Sequence, residues 1–138
     1  MILAEIDSKH FPHRGANVAV RLECDKHRWS RTFHCGNITT NQADLKGIEY
    51  TLLSINDKYK SEEVVIRTSG RYGIMMLERD LDGKWVKNAS NNIELIDRIR
   101  ALFSSFSKVR IEFSNDLIDL REANVLAVKS GEQVFKKI

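Results

Sequence analysis

Two acidic side chains are placed where they could do chemistry. Asp7 ends an apolar run, Ile2 to Ser8, just before a polar turn, which is a position suited to facing a metal ion or a phosphate. Asp44 lies in Thr39-Thr40-Asn41-Gln42-Ala43-Asp44-Leu45, where an extended run gives way to a helix. An acid near a helix N-terminus can simply stabilise the helix dipole, by about 0.3–1 kcal/mol, or it can be aimed at a ligand. Beyond Asp7 and Ser8, the residues Lys9, His10, His13 and Arg14 form a basic turn. Such a turn is either solvated or in contact with phosphate.

The elements that must position these groups can be read from periodicity. Ile2–Ser8 is a strand, and Pro12 and Gly15 mark the turn into a second, Ala16 to Glu23. His27 to Cys35 alternates Trp29, Arg31, Phe33 and Cys35 with polar residues and makes a third, so the start of the chain is an antiparallel meander. The helix from about Asn41 to Lys58 carries Leu45, Ile48, Leu52 and Ile55 on one face. Thr40 or Asn41 is the expected cap, with Asn41 and Asp44 spaced nearly as a capping box.

Val64 to Thr68 is a short β-branched strand, expected to run parallel to an earlier one because a helix precedes it. Arg71 to Glu78 reads as a two-turn helix. A longer helix starts at about Ile93 behind a capping box, Asn91 and Glu94, with Ile93, Ile96, Ile99, Phe103 and Phe106 on its core side. Lys108 to Phe113 is a strand, and Asp116 to Lys129 a last helix. The order β-β-β-α-β-α-α-β-α implies a single α/β domain over residues 1–138, with a mixed five-stranded sheet flanked by helices.

Composition fits that picture. The chain has 138 residues, 42% of them hydrophobic, enough for one core. Its 22 basic and 19 acidic residues leave a net charge of +3, which permits an anionic partner without requiring one. Cys24 and Cys35 lack the paired spacing of a zinc or redox motif and are expected to be reduced and structural. No run approaches the roughly 18 apolar residues of a membrane span. A protein without membrane association, in the cytoplasm, is expected.

At this point the sequence resembles ribonuclease H, the metal-dependent enzymes that cut RNA in RNA–DNA hybrids. The element order is that of the family. Ile6-Asp7-Ser8 is similar to the end of its first strand, and Thr39 to Leu45 to its Thr-Asn-Asn-x-x-Glu-Leu helix opening. Thr68-Ser69-Gly70-Arg71-Tyr72 is similar to its Thr-Asp-Ser-Gln-Tyr corner, Asn92-Ile93-Glu94-Leu95 to its Asn-x-Asp-Leu helix start, and Glu122 to Ala127 to its Ala-Asp-x-Leu-Ala close.

The resemblance implies four carboxylates around two magnesium ions, which clamp the attacking and leaving oxygens of an in-line displacement. Carried over, the first two fall on Asp7 and Asp44, the latter shorter than the family's glutamate. The third and fourth fall on Ser69 and Asn124, neither of them acidic. Asp7 and Asp44 are thus the expected ligands of one weakly bound Mg²⁺ or Mn²⁺. The histidine often found before the family's last helix is missing from Phe113-Ser114-Asn115-Asp116, and so is the basic protrusion of some members.

Three functions are implied. In the first, a ribonuclease H-like domain with lost or strongly reduced nuclease activity binds nucleic acid, either an RNA–DNA hybrid or double-stranded RNA, through Ser8, Lys9, His10, Arg14, Thr40, Asn41 and Gln42. In the second, an active enzyme cleaves hybrids with a depleted site. In the third, the same fold serves a protein partner.

Overall fold

The structure, a computed structural model, describes residues 1–11, 15–25 and 27–114. Its strands are β1 (Ile2–Phe11), β2 (Gly15–Cys24), β3 (His27–His34), β4 (Glu63–Thr68) and β5 (Lys108–Phe113). Its α-helices are α1 (Thr40–Ser54), α2 (Tyr72–Met76) and α3 (Ile93–Ser104), with a 3₁₀ turn at Asp57–Tyr59. The five strands form one sheet in the order β3-β2-β1-β4-β5. β1, β2 and β3 pair antiparallel, whereas β4 joins β1 and β5 joins β4 in parallel. This is the expected meander with parallel additions; the helix expected at 116–129, with Asn124 on it, lies outside the described residues, as do His13 and Arg14.

Strand alternation divides the sheet into two unlike faces. On one, Ile2, Ala4 and Ile6 of β1 pack with Val18, Val20 and Leu22 of β2, Val64 and Ile66 of β4, and Ile48 and Leu52 of α1. Burial of each large aliphatic side chain there contributes about 1.5–3 kcal/mol. Gly47 lets α1 approach, because a β-carbon at that position would stand 2.3 Å from Ile6 Cγ2. The other face carries Glu5, Asp7 and Lys9 of β1, with cross-strand pairs of Arg21 with Glu5 and Arg67 with Glu112. Asp7 therefore points away from α1.

Helix starts differ from expectation by small but instructive amounts. The α1 cap is Thr39: its hydroxyl accepts from Gln42 N–H at 3.1 Å while Thr39 N–H donates to Gln42 Oε1 at 2.9 Å. Thr40 and Asn41 are the first helical residues, and Asp44 falls in the second turn. The Asn91 and Glu94 box does not form, and Ile93, expected on the core side, is exposed at the first position of α3. Asn92 takes the left-handed conformation before α3, at φ 56°, and its side-chain oxygen accepts from Gln42 Nε2 at 3.0 Å.

Candidate functional site

The site is built where the C-terminal end of β4 turns into α2, between β1 and α1. Thr68 closes β4 and is buried, while Ser69, the next residue, is exposed. Their hydroxyls go to different acids. Ser69 Oγ–H donates to Asp7 Oδ1 at 2.9 Å, and Thr68 Oγ1–H donates to Asp44 Oδ1, also at 2.9 Å. Two consecutive residues thus hold the two candidate carboxylates on opposite sides of the strand end.

Asp44 is 6% exposed and enclosed. Its Oδ2 accepts from Gly73 N–H at 2.6 Å, and Gly70 N–H donates at 3.1 Å to Thr68 Oγ1, completing a chain of hydrogen bonds that ends on the carboxylate. Gly70 and Gly73 form the cover. A β-carbon at Gly70 would lie 2.4 Å from Asp44 Oδ1 and 2.7 Å from Oδ2, and one at Gly73 would lie 3.0 Å from Oδ2. Burial pushes the Asp44 carboxyl above the usual aspartate range, and the hydrogen bonds from Gly73 and Thr68 offset part of that rise.

Asp7 is half-buried, with Ser8 N–H donating to the same oxygen, Oδ1, at 2.9 Å. Further along β1, Lys9 and His10 are exposed, and Thr40 and Asn41 are exposed on the first turn of α1. His10 Nε2 lies 3.0 Å from the carbonyl oxygen of Ile38, tying β1 to the loop before α1. Gln42 has both ends of its amide engaged, in the cap and with Asn92. These two side chains hold the helix entry together.

Past the corner, Arg71 caps α2, exposed, with its guanidinium 3.9 Å from the centre of the Phe113 ring. Trp85 is fixed differently: the guanidinium groups of Arg79 and Arg100 lie over its ring at 4.2 and 4.9 Å, and Phe103 meets it edge to face.

No family model matches the chain, and no curated protein matches it. Among solved structures, RNase H1 from the halophilic archaeon Halobacterium salinarum NRC-1 aligns with a TM-score of 0.68 at 19% identity, over 92% of this chain and 96% of that one. The fold is ribonuclease H-like. The N-terminal RNase H domain of rv2228c from Mycobacterium tuberculosis, solved as a fusion with maltose binding protein, aligns at 0.67 and 16% identity over 86% of this chain and 89% of that one. LC11-RNase H1, solved in complex with an RNA/DNA hybrid, aligns at 0.58 and 19% identity, over 90% and 88% of the two chains.

On this ribonuclease H-like frame the described donors fit a resident metal pair poorly. No group of three His, Cys, Asp or Glu side chains converges as a metal site among the described residues. At the Asp7 end the donors are one carboxylate and the neutral Ser69 hydroxyl, whereas a magnesium ion relies on carboxylates supplemented by water and phosphate oxygens. Asp44 has each oxygen engaged by an N–H or O–H donor and a ceiling of backbone. Sequence reasoning missed the residues that enclose it. Thr68 and Gly73 carried no signal beyond a strand end and a short helix, and Arg71 appeared only within the stretch similar to the family's corner.

Proposed function

We propose that the chain is a ribonuclease H-like nucleic-acid-binding domain whose metal-dependent nuclease activity is lost or strongly reduced. The observation that carries this reading is the enclosure of Asp44, which spends a carboxylate on bracing the corner between β4 and α2. Support also comes from the fold likeness to RNase H1 structures, one of them solved with an RNA/DNA hybrid bound.

The binding residues would be Ser8 and Lys9 beside Asp7 and Ser69, Thr40 and Asn41 on the first turn of α1, and Arg14, which lies outside the described residues. His10 and Gln42 would contribute by holding the entry to α1 in place. Duplexes containing RNA are read by shape, by 2′-hydroxyls and by phosphates rather than by base edges, and short polar side chains such as Ser8, Thr40 and Asn41 suit such contacts. A Mg²⁺ or Mn²⁺ ion held at Asp7 would be weak and would depend on phosphate oxygens brought by the nucleic acid.

Titration of an RNA–DNA hybrid, a double-stranded RNA and a double-stranded DNA of one length, at several salt concentrations, tests the reading. The expected result is binding of the RNA-containing duplexes that weakens as salt rises. No binding of any of them would overturn the proposal and leave the fold to a protein partner.

A further inference from the structure

Several arginines of the sheet and of α3 have their charge answered by a carboxylate within the protein. Arg21 pairs with Glu5, Arg28 with Glu23, Arg67 with Glu112, Arg98 with Glu49 and Arg110 with Glu63. Arg100 donates to the carbonyls of Met76 and Lys87. Arg71 differs. Among the described residues no carboxylate or carbonyl accepts from its guanidinium, which lies instead on the ring of Phe113.

The stack is held from both sides. Phe113 ends β5 opposite Thr68, and Ser114 N–H donates to the Thr68 carbonyl at 2.9 Å, so the ring is pinned beside the corner. The Arg71 carbonyl accepts from Met75 N–H at 3.0 Å, which fixes the backbone where α2 begins. Phe113 remains 39% exposed, although an aromatic ring is costly to leave in water. A guanidinium lying on a ring keeps its N–H groups in the plane of the fork, pointing outward, and loses little rotamer freedom when they bind. Planar bidentate donors match the oxygens of a phosphate. Ser69, two residues before Arg71 in the chain, holds Asp7, so the corner that carries Arg71 also carries part of the candidate site.

We infer that Arg71, stacked on Phe113, is a preorganised clamp for a backbone phosphodiester of bound nucleic acid. The inference rests on the nucleic-acid reading above and adds a phosphate contact on the α2 side of Asp7. Lysine in place of Arg71 would keep the charge but lose the stack and the fork. Alanine in place of Phe113 would keep the charge and release the side chain.

The test measures hybrid affinity against salt concentration for the wild type, Arg71→Ala, Arg71→Lys and Phe113→Ala, with melting temperature as a check on folding. Arg71→Ala is expected to weaken binding and to lower the slope of log affinity against log salt by about one. Arg71→Lys and Phe113→Ala are expected to weaken binding while keeping most of that slope. Wild-type affinity and slope in Arg71→Ala would overturn the clamp while leaving nucleic-acid binding standing. Loss in Arg71→Ala with full affinity in both other variants would also overturn it, by reducing Arg71 to a plain charge. Absence of salt-dependent binding in the wild type would overturn the clamp together with the reading on which it rests.

Discussion

Gly70 lies against Asp44 so closely that a β-carbon on the glycine would stand 2.4 Å from the Asp44 carboxyl carbon. The contact couples the corner after β4 to the second turn of α1. It also gives Asp44 a task within the fold, as the acceptor for Thr68 and Gly73.

Truncation of Asp44 should therefore cost stability. Asp44→Ala leaves the Gly73 N–H and the Thr68 hydroxyl without their acceptor in a buried place, and each such loss is worth about 1–3 kcal/mol. Asp44→Asn can still accept from Gly73 and donate to Thr68 Oγ1, so its loss should be smaller. Denaturant unfolding of both variants checks the order.

Gly70→Ala should be destabilising by about 1–3 kcal/mol through overpacking, and much of that cost should vanish when Asp44 is already alanine. A double-mutant cycle on unfolding free energies measures the coupling. Additive effects would mean that the two residues do not oppose each other.

The pH dependence follows from burial. The folded-state pKa of Asp44 is raised above the ordinary aspartate value of 3.8, so the folded protein takes up this proton before the unfolded chain does. Stability from this group then increases as pH falls through the raised value towards 3.8 and declines again as pH rises. Wild type should gain on Asp44→Asn over that acid range, and paired urea titrations across pH would show it. A constant difference would mean that the carboxylate is not desolvated.

Ser69→Asp should create a cation site. An acid in place of the hydroxyl that now bonds Asp7 sets two carboxylates side by side, which repel each other until a divalent ion joins them. Calorimetric titration with Mn²⁺ is expected to show tighter binding than in the wild type, together with a melting temperature that rises with Mn²⁺.

Much of this was legible in the chain itself. Strict alternation in Lys108–Phe113 and around Trp29 and Phe33 left little choice of strand, and the apolar stripe of Leu45, Ile48 and Leu52 left little choice of helix face. Helix caps were harder to read, because Thr39, Thr40 and Asn41 are all cap formers and the choice depends on which of them Gln42 can reach back to. Asp44 was visible as an acid near a helix start. Its enclosure was not, because it depends on Thr68, Gly70 and Gly73, which are remote in sequence and adjacent only once β4 has paired with β1.

The central claim is that this ribonuclease H-like domain binds nucleic acid with little or no cutting. The most direct measurement incubates the protein and Asp7→Asn with a labelled RNA–DNA hybrid in Mg²⁺ and, separately, in Mn²⁺. The expected result is bound hybrid that stays intact with both proteins. Cleavage of the RNA strand by the wild type that disappears in Asp7→Asn would contradict it.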